Sequence, residues 1–165
     1  MRAREFMNLD ENAEDELTLY NGTIRSNISA IKLRGLVARA GAMVSHFYGS
    51  DDEELEPLVF AADIRGLKGC VAAMGRLIAE TMGTRTGAYS EEAIRKYGAL
   101  CVIEADPEDF THHHRDDDPT ADYEDHPIQS EPGDYYSRYD VQVDRVIVGD
   151  DLIGFLKQHG YSFTV

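Results

Sequence analysis

Positive charge is what this chain has least of. Lys and Arg together number 16 against 31 Asp and Glu in 165 residues, a formal charge of −15. Lysine occurs only at Lys32, Lys68, Lys96 and Lys157. A surface of that sign repels nucleic-acid phosphates and anionic membranes, so direct binding to bare nucleic acid is disfavoured. Cysteine is nearly absent too. Cys70 and Cys101 each sit in an apolar segment, which predicts buried free thiols rather than a disulfide staple. No run approaches the roughly 20 apolar residues of a membrane span. Met1-Arg-Ala-Arg-Glu-Phe-Met-Asn8 holds no apolar core of signal-peptide length. A cytoplasmic protein with no membrane partner is therefore expected. Also missing are a phosphate-cradling Gly-Lys-Ser/Thr loop, a Gly-x-Gly-x-x-Gly fingerprint and a nucleophile elbow.

What remains suffices for one domain. Hydrophobic residues make up 42% of the chain, and a chain of this length buries roughly 68–70% of its unfolded surface. The acids are spread along the whole chain, which fits three readings. One is a halophilic-like surface hydrated by carboxylates; another is a partner for a basic protein; the third is a nucleic-acid mimic.

Residues 1–16 read as a polar, acidic N-terminal arm, followed by one domain over 17–165. Residues 17–22 alternate as a strand. A short helix over 26–34 follows, capped by Ser26 or Asn27 and stopped at Gly35. Residues 41–48 read as strand and 49–54 as a solvated loop. Leu58-Val-Phe-Ala-Ala62 reads as a short buried strand. Asp63 then caps a long helix whose stripe is Ile64, Leu67, Val71, Met74, Leu77 or Ile78, and Met82, with Gly83 at its end. Gly66, Gly69 and Gly75 weaken it by up to about 1 kcal/mol each, which points to close packing on a sheet. Ser90 caps a second helix closed by Tyr97-Gly98. Residues 99–106 form the clearest strand, and Pro107 ends it. Residues 111–138 are a polar insertion. Strands over 139–143 and 145–148 follow, then a helix capped by Asp150 or Asp151, and an edge strand over 161–165. This order predicts an α+β fold: a mostly antiparallel split sheet flanked by helices.

The segment Leu17-Thr-Leu-Tyr-Asn-Gly-Thr23, a strand ending in Tyr-polar-Gly-Thr and followed by a helix and Gly35-Leu36, resembles the opening of the ADP-ribosyltransferase family. Asn21 stands where that family most often has His. Three later segments follow in the family's order: Leu58–Asp63 before its Ala-rich helix, Ala99–Phe110, and Ser137–Val148 before Asp150-Asp-Leu-Ile153. The resemblance implies an NAD-dependent transferase moving ADP-ribose to a protein or nucleic-acid acceptor. It places the nicotinamide against Tyr20, Gly22 and Thr23, with Asn21 donating to a ribose hydroxyl, Phe60 as a stacking partner and Gln142 in the site. Asp140 matches the family's catalytic Glu, with Asp144 as the alternative in a Gln-x-Asp pattern. A carboxylate beside the ribose would stabilise the oxocarbenium-like charge of the breaking glycosidic bond.

Two other outcomes are open: a catalytically silent binding module on the same fold, and an acidic inhibitor or nucleic-acid mimic. No metal site is expected. His112, His113, His114 and His126 sit among carboxylates, but consecutive histidines cannot all face one ion from a strand or helix, and no His-x-x-x-His pair exists.

Overall fold

The computed structural model describes residues 17–38, 58–112 and 133–163. The expected arm over 1–16, the strand over 41–48, the loop over 49–54 and most of the insertion lie outside them. The described residues form an α+β fold around one antiparallel sheet. Its strands are β1 (Leu17–Ile24), β2 (Val59–Ala62), β3 (Gly98–Ala105), β4 (Thr111–His112), β5 (Asp134–Ser137) and β6 (Arg145–Val148). They lie in the order β4-β5-β2-β1-β3-β6.

β1 pairs with β3 along its whole length, from Leu17 opposite Ala105 to Ile24 opposite Gly98. Its pairing with β2 is confined to Tyr20 opposite Ala62. The sheet is thus tightly laddered on one side of β1 and barely on the other.

Alternation along the strands sends side chains to two cores. Tyr20, Ile24, Leu100, Val102 and Ile147 join one cluster with the helices. Leu19, Val59, Ala61, Ile103 and Phe110 join a smaller cluster on the opposite face. The first face is covered by α2 (Leu67–Met82), α3 (Glu91–Tyr97) and α4 (Gly149–Gln158), and α1 (Ile28–Arg34) follows β1. The α2 stripe is buried as its spacing predicts at Leu67, Val71, Met74 and Ile78, whereas Ile64, in the turn before α2, and Met82 are exposed. Asp63 accepts from the Arg65 N–H at 2.8 Å and starts a 3-10 turn leading into α2. Gly83 ends α2 in the left-handed region at φ 77°. Ser90 caps α3, accepting from the Ala93 N–H at 3.1 Å.

Several local expectations are corrected. Neither Ser26 nor Asn27 caps α1; a 3-10 turn over Arg25–Asn27 leads into it, and Asn27 Nδ2 donates to Thr23 Oγ1 at 3.1 Å. Neither Asp150 nor Asp151 caps α4, which begins at Gly149 with both in its first turn. Asp150 instead accepts from Arg95 Nε at 2.8 Å. The ends of the insertion are not loop: β4 and β5 pair through Thr111 opposite Tyr136, and β5 also pairs with β2. Residues 161–163 form no strand, because Tyr161 and Phe163 stack edge-on at 4.9 Å and pack on the helix-side core. The strand expected over 139–143 is a single bridge, Val141 opposite Leu36, and regular pairing starts only at Arg145.

Of the three helix glycines, Gly66 meets the sheet: a Cβ there would lie 2.6 Å from Ala62 Cβ. Gly75 instead accommodates the Tyr89 ring, and Gly69 faces open space.

Candidate functional site: a cleft beside the first strand

Beyond the Tyr20–Ala62 pair lies a cleft of about 630 Å³. Asn21, Gly22 and Thr23 of β1 form one wall, and Leu58, Val59 and Phe60 form another. Helix α1 adds Ile31 and Arg34, the segment after it adds Leu36 and Val37, and α2 adds Ala73, Arg76 and Leu77. The volume falls within the roughly 300–1,000 Å³ typical of small-molecule sites.

The sequence builds these walls locally. Where the β1–β2 ladder ends, Asn21 Nδ2 donates to the Phe60 carbonyl at 2.8 Å. A side chain thus takes over from the backbone and ties the two strands. This uses one N–H of the amide, which has a second donor and an acceptor oxygen besides. Gly22 brings the backbone of α2 close: a Cβ there would sit 2.0 Å from the Cys70 carbonyl oxygen. Thr23 is buried and fixed by Asn27. At the end of α1, Gly35 takes φ 79°, and a Cβ there would meet the Val141 carbonyl at 2.5 Å. That turn delivers Leu36 to its bridge with Val141, through hydrogen bonds of 2.7 and 2.9 Å.

The residues singled out in the sequence divide into two groups. Asn21, Gly22, Thr23 and Phe60 line the cleft together; Tyr20, Asp140, Gln142 and Asp144 do not. Tyr20 points to the helix-side core, 5.4 Å from the Phe155 ring, and burial raises its phenol pKa. Asp140 Oδ1 accepts from the Ala38 N–H at 2.9 Å, one residue past the cleft-lining Val37. Asp144 Oδ2 accepts from the Glu104 N–H at 2.7 Å, where the β3–β6 ladder stops. The two carboxylates therefore serve different elements rather than one strand face. Gln142 is exposed.

Two residues of the cleft carry no signal in the sequence. Arg34 and Arg76 both line it, while no Asp or Glu does among the described residues. Arg76 pairs with Glu80 at 3.4 Å across an exposed helix turn, a geometry worth little in water. Arg34 is exposed and has no hydrogen-bond or ion-pair partner among the described residues. Nothing in local spacing links positions 34 and 76; only the folding of α1 and α2 around β1 brings them to one cavity.

The two cysteines are buried free thiols. Burial pushes the Cys70 thiol up to about 12 and the Cys101 thiol to about 11. Among the described residues there is no cluster of His, Cys, Asp and Glu that could hold a metal, and no helix long and apolar enough to cross a membrane. Comparison with protein-family models, with characterised proteins and with solved structures finds no match.

Proposed function

We propose that this chain is an ADP-ribosyltransferase-like domain that binds NAD in the β1–β2 cleft, and that it acts as a binding module. One observation carries the reading. Asn21, Gly22, Thr23 and Phe60, four of the residues the resemblance assigns to NAD, line a single cavity of cofactor size, while the two candidate carboxylates lie outside its lining. Apolar walls from Ile31, Leu58 and Leu77 suit a planar ring, and the second N–H and the oxygen of the Asn21 amide suit a carboxamide or ribose hydroxyl.

The test is a thermal shift with NAD. A ligand at about 100 times its dissociation constant adds about 2.7 kcal/mol to stability. NAD should raise the melting temperature, and Phe60→Ala should diminish the rise. An unchanged melting temperature at millimolar NAD would reject the reading.

A second reading, transfer of ADP-ribose to a macromolecular acceptor, is favoured by one contact. Asp140 is held at Ala38, beside the cleft-lining Val37, so a carboxylate stands near the rim. Release of nicotinamide from NAD distinguishes a transferase from a silent module.

A further inference from the structure

Among the described residues, the charge lining the cleft is opposite in sign to that of the chain as a whole. The chain carries 31 acidic residues and a formal charge of −15, yet the charged residues lining the cleft, among those described, are Arg34 and Arg76. They come from different helices, α1 and α2, so the cavity draws one arginine from each of two separate supports. Among the described residues, little competes for either one. Arg76 has one long, exposed ion pair with Glu80, and Arg34 has no partner among the described residues. A guanidinium is always charged and presents a planar fork of donors that matches phosphate oxygens. Inside a concave site with apolar walls, charge of one sign focuses the field on a small anion. A polyanion such as nucleic acid would meet the acidic exterior first.

We infer that Arg34 and Arg76 form a diphosphate subsite, so that the cleft takes nucleotides bearing a diphosphate as a class, including those without nicotinamide. Two phosphate groups offer one to each guanidinium. The apolar wall then receives the base or the ring at the far end of the ligand. This inference deepens the NAD reading of the same cleft, but it rests on the charge of the lining and makes a separate claim.

Titration calorimetry with pyrophosphate, ADP, ADP-ribose and NAD tests it, at the lowest salt in which the protein stays folded. Pyrophosphate and ADP should bind. Arg34→Gln and Arg76→Gln should each weaken ADP by about tenfold, the scale of one lost charge-assisted hydrogen bond. Both positions are at least partly exposed, and circular dichroism checks that each variant folds. Glu80→Gln removes the competing partner of Arg76 and should tighten ADP. Binding should also weaken as salt rises.

The inference is overturned if none of the four probes binds. It is equally overturned if ADP binds the parent and both arginine variants alike. If NAD binds and neither arginine matters, the diphosphate subsite is wrong while the NAD reading stands. If ADP binding depends on both arginines but NAD does not bind, the subsite stands and the NAD reading falls.

Discussion

Gly22 and Cys70 touch backbone to backbone: a Cβ on Gly22 would lie 2.0 Å from the Cys70 carbonyl oxygen. Helix α2 is thereby seated directly on β1, and the Cys70 thiol reaches the Tyr20 carbonyl at 3.5 Å. Gly22, in the Asn-Gly-Thr stretch of β1, is thus required by helix–sheet packing, whatever the cleft binds.

Gly22→Ala should destabilise the fold by about 1–3 kcal/mol, the usual cost of forcing atoms into a filled interior. Denaturant midpoints measure it. A midpoint equal to the parent's would show that α2 moves away freely. Loss of a ligand by this variant would report displacement of α2 as much as a blocked ligand, so Phe60 and the arginines are the better probes of binding.

Asp140 and Asp144 can be separated by their contacts. Asp140→Asn keeps an oxygen able to accept from the Ala38 N–H, so the fold should be preserved. Asp140→Ala loses that acceptor and should cost about 1 kcal/mol. If the parent releases nicotinamide, Asp140→Asn should abolish the release, because the charge facing the oxocarbenium is gone. Asp144→Asn should leave it intact, since that carboxylate is bound at Glu104. The reverse pattern would transfer the catalytic assignment to Asp144.

Stability should decline in alkali. In the fold, the thiols of Cys70 and Cys101 are raised from an ordinary value of 9.0 to about 12 and about 11, mainly by burial. The unfolded chain loses these protons first, so it binds fewer protons than the folded chain once pH exceeds 9. The stabilisation is complete below that point. It falls on the order of 1 kcal/mol per pH unit per thiol until the folded pKa is reached. Urea midpoints between pH 8 and 11 should show the decline, and Cys70→Ala should make it shallower, with the Cys101 contribution remaining. A thiol reagent should label the native protein only as fast as it opens.

The acidic exterior predicts a response to salt. Screening relieves repulsion among exposed carboxylates, so the melting temperature should climb toward molar salt. A melting temperature that stays level across that range would remove the halophilic interpretation. It would leave the charge to a binding role, in which salt weakens a complex without changing the fold.

Local chemistry alone determined much of the chain. The stripe of α2, its Asp63 start and Gly83 stop, the Ser90 cap of α3 and the apolar run of β3 all follow from spacing and capping within a few residues. Such signals are legible because the interacting groups are neighbours in sequence. The alternation of Asp140-Val-Gln-Val143 was legible as well, and misleading. A strand and a single bridge both need an extended backbone with one buried side chain, and only the position of Leu36 made this segment a bridge. In the candidate site, the sequence pointed to the β1 wall and Phe60, whose residues are grouped in two short runs. It was silent on Arg34 and Arg76, because an arginine on a helix surface looks the same whether it faces bulk water or a cavity. Which of these it faces is set by how α1 and α2 cross β1, through contacts such as Gly22 with Cys70 and Gly35 with Val141. Those are long-range backbone approaches, and they exist only once the chain has folded.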